Sequence, residues 1–152
     1  MMHALALLRA FIGIPSITSI LLIADLIARP RLRLLSGDRR LFLGFAAAAA
    51  VVLYPSALGL VPVDLYRIGF APVAPLILGT VAACLADRHP RFSCAVLVIL
   101  IAFDLHLLGG TNLWDYVVDP FVGVIGIVWA ALRASSAILE VRSPIEPWPQ
   151  PD

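Results

Sequence analysis

The residues best suited to chemistry are four acidic or imidazole side chains in the last third of the chain, Asp104, His106, Asp115 and Asp119, which we call the acid cluster. Carboxylates and imidazole are ligands for divalent cations, and histidine titrates near neutral pH. The cluster could therefore form a cation site or a proton relay. Residues two apart on a helix point about 200° away from each other, so Asp104 and His106 cannot share a ligand within one straight helix.

Asp115 and Asp119 have two further interpretations. As a D-x-x-x-D pair they could hold Mg²⁺ against a lipid pyrophosphate, although such an enzyme needs more charged residues around the phosphate. Asp119 before Pro120 is also typical of a helix N-cap followed by proline at the first helical position. We favour capping and ion-paired carboxylates over an ion site.

Asp104 is predicted to lie about 7–8 Å inside the outer end of an apolar helix, from its rise of about 1.5 Å per residue. A carboxylate at that depth is costly unless it is paired, protonated or hydrated. We therefore expect an ion pair between Asp104 and either Arg9 or Arg67. Asp25, four residues before Arg29, predicts a local ion pair along one helix.

The composition is that of a membrane protein. Apolar residues make up 61% of 152 residues, with a mean hydropathy of +0.98, well above a soluble domain. All 11 basic residues are arginine, which excludes Schiff-base lysine and P-loop chemistry. The net charge of +1 gives no reason to expect a nucleic-acid partner, and no cofactor is expected.

Five apolar stretches predict an all-α integral membrane protein, a bundle of about five transmembrane helices with short loops over residues 1–142. A span needs about 20 residues. The fifth has two alternatives, 113–132 and a helix from Pro120 to about residue 139, and we prefer the first. Residues 143–152, rich in proline, predict an extended cytosolic tail. The predicted spans are 10–28, 41–61, 68–86, 92–109 and 113–132.

The arginines predict the orientation. They crowd the first and third connections and the C-terminal end, whereas the second connection has only Arg67 and the fourth has none. By the positive-inside rule the first and third connections and the C-terminus are cytosolic and the N-terminus is outside. Small size and short loops favour a bacterial inner membrane.

Two segments on the predicted outer side, residues 54–60 and 109–116, each contain proline or glycine that breaks a helix. Each then presents aromatic and polar side chains at the level of the lipid headgroups. They predict either interface anchoring or a docking surface for a partner or lipid headgroup. We call this surface the outer ledge; its residues are Asp64, Tyr66, Arg67, Asn112, Trp114 and Tyr116.

Small residues four apart, Gly44 with Ala48 and Gly126 with Ala130, predict close helix contacts, within the chain or with a partner. We favour a non-catalytic accessory or assembly subunit of a larger membrane complex, in contact with membrane lipid and a protein partner. The alternative is a small ion or proton carrier that uses the acid cluster. An enzyme acting on a lipid headgroup is the third hypothesis.

Overall fold

The computed structural model describes residues 15–29 and 33–142, with side chains described as far as residue 136. Within these ranges every regular element is helical and no strand is present. The elements are α1 (Ile17–Ile27), α2 (Arg39–Ala57), a 3₁₀ turn (Tyr66–Phe70), α3 (Val73–Leu85), α4 (Pro90–Asp104), α5 (Leu113–Val117) and α6 (Pro120–Arg142).

The helix starts follow from local sequence. The Ser16 hydroxyl accepts a hydrogen bond from the Ser19 amide at 3.2 Å and so caps α1, and Asn112 caps α5 through the Trp114 amide. Proline is the first residue of both α4 and α6, where its missing N–H costs no helical hydrogen bond.

Helices α2 and α6 pack along a seam of small residues. A Cβ at Gly126 would lie 2.9 Å from the backbone nitrogen of Ala47, and one at Gly123 would lie 3.2 Å from the Ala50 Cβ. Gly44, nearer the start of α2, lies opposite Trp129 on α6, so the two helices are antiparallel. Gly44 and Gly126 therefore face a helix of the same chain. Of the two predicted uses of these glycines, packing within the chain and packing on a partner, the structure shows the first.

A second antiparallel pair is formed by α3 and α4. The Ser93 hydroxyl donates to the carbonyl oxygen of Ala82 at 2.7 Å across this pair. Phe92 on α4 contacts Phe42 and Phe45 on α2 edge to face, with ring centroids 6.2 and 5.7 Å apart. These aromatic contacts join the two helix pairs into one core.

The connections between the helices lie at two opposite ends of the bundle. Asp38, from the first connection, accepts hydrogen bonds from the backbone amides of Arg91 and Phe92 at the start of α4. At the opposite end the Asn112 amide group, from the fourth connection, donates to the carbonyl oxygen of Tyr66, from the second connection. The first and third connections thus share one end of the bundle, and the second and fourth share the other.

The helix lengths only partly match the predicted spans. Among the residues searched, α2 is the one helix both long and apolar enough to cross a membrane, while α1, α3 and the described part of α6 are shorter apolar helices. Val118 and Asp119 divide the predicted span 113–132 into α5 and α6. The long helix therefore begins at Pro120, as in the alternative set aside above.

The outer surface of the helices is strongly apolar. Large aliphatic side chains on α1, α2, α3, α4 and α6 are exposed, among them Leu26 at 69%, Leu76 at 69% and Leu132 at 68%. Contiguous exposed apolar surface of this extent is rare on soluble monomers and is typical of a face in contact with lipid or another protein.

Candidate functional site

The candidate site lies at the end of the bundle that holds the second and fourth connections. Its centre is Asn112, which is buried and donates to the Tyr66 carbonyl oxygen at 3.2 Å while its own side-chain oxygen accepts from the Trp114 amide at 2.9 Å. Gly69 on the 3₁₀ turn packs so closely that a Cβ there would lie 1.9 Å from the Asn112 oxygen. Glycine at position 69 is therefore what allows the two connections to meet.

Tyr66 and Asp115 form a second link between these connections. The Tyr66 hydroxyl donates a hydrogen bond to the Asp115 carboxylate. Burial, and then the hydrogen bond and negative charge of Asp115, raise the pKa of Tyr66 above its ordinary value. The phenol therefore stays protonated at neutral pH and remains a donor to Asp115.

Asp119 is the most heavily bonded member of the acid cluster. One carboxylate oxygen accepts from the Val122 amide at 2.8 Å and caps α6, as the sequence predicts. The other accepts from the Ser16 amide at 2.7 Å and from the Ser19 hydroxyl at 2.6 Å. With 6% of its surface exposed, this side chain joins the first turns of α1 and α6, which are therefore parallel.

The other members of the acid cluster point to different surroundings. Asp104 is exposed at the last residue of α4, and His106 is exposed with its Nδ1 2.9 Å from the Asp104 carbonyl oxygen. The His106 ring stacks on Phe103, and its φ of 52° marks the end of the helix. In the described ranges no three His, Cys, Asp or Glu side chains come together as a metal-binding group. The ion site stays a prediction.

Asp115 and Asp119 do share one cavity, of about 280 Å³. Leu108, Gly110, Val118 and Pro120 line the rest of it. Asp119 meets this cavity with both oxygens already accepting hydrogen bonds, whereas Asp115 is exposed. Asp115 is therefore the carboxylate of the pair that is more available to a ligand.

The proposed pairing of Asp104 does not appear among the described residues. The ion pair found there joins Arg39 to Asp25, and the His89 ring contacts the Asp38 carboxylate; Asp104 takes part in neither contact. Arg67 is exposed and its backbone amide donates to the Asp64 carboxylate at 3.0 Å, which closes a local turn. Arg9 lies outside the described residues, so its pairing with Asp104 stays a prediction.

The outer ledge has fewer surface residues than the sequence indicates. Asn112 and Tyr116 are buried, which corrects their assignment to an exposed docking surface. Tyr116 instead donates to the carbonyl oxygen of Gly110 at 3.0 Å and packs edge to face on Phe103. Asp64 and Arg67 are exposed, and Tyr66 and Trp114 are partly buried.

An apolar groove lies beside the ledge on the outer half of α2. Its volume is about 330 Å³ and its lining is wholly apolar. Ala48 and Ala49 are the small residues of its lining, and Trp114 brings it to the edge of the ledge. We call it the α2 groove; it is also lined by Phe45, Val52, Leu53, Leu65 and Ile68.

Two buried carboxylates at the opposite end have roles that the sequence pattern does not reveal. Asp25 bonds the Arg39 guanidinium and accepts from the Leu35 amide at 2.8 Å, which corrects the expected pairing with Arg29. Asp38 accepts from the ring nitrogen of His89 at 2.8 Å, besides the two amides of α4. These partners lie ten or more positions away along the chain, so helical spacing cannot identify them.

The Asp38 carboxylate is stabilised in its ionised form. Burial alone would raise the pKa of this carboxyl group, but the His89 hydrogen bond and then the Phe92 amide outweigh it, and the pKa lies below its ordinary value. The N-cap residue of α4 is His89, and Asp38, from a distant connection, supplies the carboxylate that accepts from the first-turn amides.

Comparison with known proteins gives one relevant likeness. A segment of 84 residues is 34% identical to a probable peptidoglycan glycosyltransferase FtsW of Methylomonas methanica, and covers 52% of this chain but 20% of that protein. The chain thus matches about one fifth of the length of this curated relative. No family model and no solved structure matches. The resemblance, with the apolar α2, indicates a bacterial membrane protein.

Proposed function

We propose that this chain is a small multi-pass protein of a bacterial inner membrane that acts as a non-catalytic accessory or assembly subunit of a larger membrane complex. In this proposal five crossings place the N-terminus outside and the C-terminus in the cytosol. The alternation of the connections supports it, because the arginine-rich first and third connections meet at one end.

The observation that carries the subunit hypothesis is the α2 groove. Gly44 and Gly126 face neighbouring helices of the same chain. Ala48, in contrast, is exposed in a groove whose lining includes small residues. Small residues let two helices approach closely in lipid, where van der Waals packing drives their association. The α2 groove therefore suits a transmembrane helix of a partner that carries bulky apolar side chains.

Its position beside the ledge adds a polar rim. Asp64 and Arg67 are exposed at the same end, so a partner helix in the groove would reach them where it leaves the membrane. A buried apolar contact with a polar edge is the usual anatomy of a specific protein interface. The α2 groove and the exposed ledge residues Asp64 and Arg67 together form the proposed docking surface.

Affinity purification in a mild detergent tests this proposal. We expect a membrane protein to co-purify in fixed ratio with the wild-type chain and to be lost from Ala48→Phe, which fills the groove. Ala83→Phe, at an exposed alanine on α3 outside this groove, is the matched control and should retain the partner. A solitary wild-type protein, or a partner retained by Ala48→Phe, would refute the subunit hypothesis.

The second candidate is the ion or proton carrier, which the cavity shared by Asp115 and Asp119 favours. This hypothesis predicts a solitary homo-oligomer with metal-dependent or pH-dependent transport in proteoliposomes. Asp115→Asn would then abolish transport, whereas in a subunit the same change would alter abundance or assembly. The third hypothesis, a lipid-headgroup enzyme, is disfavoured because Asp119 has few lone pairs left for Mg²⁺.

A further inference from the structure

A second groove lies between α3 and α4, on another face of the bundle from the α2 groove. Its volume is about 350 Å³ and its lining is almost entirely apolar. One wall has small residues along α3, and the other continues along α4. We call it the α3–α4 groove; its lining includes Gly79, Ala83, Ala86, Pro90, Cys94 and Leu97.

A charged turn adjoins one end of this groove. Ala86 and Pro90 line the groove, and the turn between them contains Asp87 and Arg88, both exposed. A ligand that lies in the groove and reaches this end would bring its own terminal group to the Arg88 guanidinium. That group should be anionic.

Arginines outnumber aspartates in the described parts of the two connections at the Arg88 end of the bundle. Six described arginines lie in or next to the first and third connections, against the aspartates Asp25, Asp38 and Asp87. Asp25 and Asp38 are bonded to Arg39 and His89, and Asp87 is the remaining acid of these connections in the described part of the chain. The arginines are Arg29, Arg33, Arg39, Arg40, Arg88 and Arg91.

Arg88 is also the basic side chain of this turn that is free to bind. Arg91 donates to the carbonyl oxygens of Ser36 at 2.8 Å and Arg33 at 3.3 Å, which hold it against the first connection. Within the described part of the chain, Arg88 takes part in none of the side-chain hydrogen bonds or ion pairs. An anion could therefore bind Arg88 without breaking a side-chain contact to any described residue.

We propose that the α3–α4 groove binds an anionic phospholipid, with an acyl chain along the groove and the phosphate on Arg88. The groove is almost entirely apolar, and the turn beside it carries Arg88, which together match the acyl chain and the phosphate of such a lipid. Basic pockets between membrane helices recognise anionic headgroups in this way. The proposal extends beyond the assembly role and does not depend on it.

Native mass spectrometry of the purified full chain, titrated with phosphatidylglycerol or phosphatidylcholine, tests the headgroup. We expect preferential retention of phosphatidylglycerol, and a loss of about fivefold in its affinity for Arg88→Gln, since one arginine near the surface contributes about 1 kcal/mol. Arg67→Gln, at an exposed arginine of the opposite end, is the matched control. Equal retention of both lipids by the wild type, or equal loss in both variants, would overturn the proposal.

The same assay tests the groove. Ala83→Phe should lower the retention of both lipids because it fills the space for the acyl chain, and Ala48→Phe should leave both unchanged. Ala83→Phe is thus the test variant here and the control in the partner purification, and Ala48→Phe is the reverse. If Ala83→Phe releases a bound protein and leaves lipid retention unchanged, the groove holds a helix and the proposal is wrong.

Two native cysteines provide an independent measurement. Both are exposed, but Cys94 lines the groove and Cys84 does not. In nanodiscs, phosphatidylglycerol should slow alkylation of Cys94 by N-ethylmaleimide relative to Cys84, compared with phosphatidylcholine. Arg88→Gln should remove this difference. A Cys94 to Cys84 ratio that is the same in both lipids would contradict the proposal.

Discussion

Replacing Asp119 by alanine should be the most damaging single change at the outer end of the bundle. Its carboxylate accepts three hydrogen bonds from α1 and α6, and the side chain is buried. Alanine leaves the amides of Ser16 and Val122 and the Ser19 hydroxyl without this acceptor. The damage should therefore reach α1 as well as α6.

The magnitude follows from these three contacts. Loss of the N-cap of α6 costs about 1 kcal/mol. Each buried donor left unsatisfied costs about 1–3 kcal/mol, and water can reach some of them after relaxation. We expect a loss of about 3–5 kcal/mol in the free energy of unfolding. Asp119→Asn, which keeps one side-chain oxygen as an acceptor, should lose about half of this.

Reversible unfolding in mixed micelles, followed by circular dichroism, measures this loss. Asp115→Ala is the control, because Asp115 is exposed and accepts from Tyr66 alone among the described residues. A double-mutant cycle with Ser19→Ala should show coupling, since the two side chains are 2.6 Å apart. If Asp119→Ala costs no more than Asp115→Ala, the junction between α1 and α6 does not depend on this carboxylate.

Three further predictions concern other contacts. Gly126→Ala should cost about 1–3 kcal/mol in the same unfolding assay, because its Cβ would meet the Ala47 backbone at 2.9 Å. Gly44→Ala, with its nearest neighbour at 3.9 Å, should be neutral or stabilising; equal losses would refute the seam. Gly69→Ala should displace Asn112 and shift Trp114 fluorescence, measured with the other tryptophans replaced by phenylalanine; an unchanged spectrum would contradict this junction. Because the pKa of Asp38 is lowered in the folded protein, its contribution to the free energy of unfolding is present above its ordinary pKa and is lost as pH falls through the folded value. Acid should therefore destabilise the wild type more than Asp38→Asn. Parallel curves of stability against pH would exclude a stabilising role for the Asp38 carboxylate.

Local sequence signals predicted the parts of this structure that depend on local chemistry. The Asp119-Pro120 pair predicted a helix N-cap, which the structure shows at the start of α6, although the span 113–132 was preferred; apolar runs located the helices. The arginine pattern grouped the first connection with the third, and the structure brings those two together through Asp38.

The rest depended on contacts between distant residues. Asp38 accepts from the first-turn amides of α4 from more than fifty positions away, and Asp25 selects Arg39 over the nearer Arg29 because the first connection folds back over the end of α1. Asn112 and Tyr116 resemble interfacial residues in the sequence, yet packing against Gly69 and Phe103 buries them. No spacing rule within one helix encodes these partners.

The most direct measurement of the central claim is the compartment of the two connections. In a chain with Cys84 and Cys94 replaced by serine, single cysteines at Ser36 and Thr111, both exposed, report on the first and fourth connections. A membrane-impermeant thiol reagent applied to intact cells should label Thr111→Cys, and should label Ser36→Cys only after the cells are lysed. Labelling of both positions in intact cells, or of neither, would contradict a bundle that crosses the membrane with these ends on opposite sides.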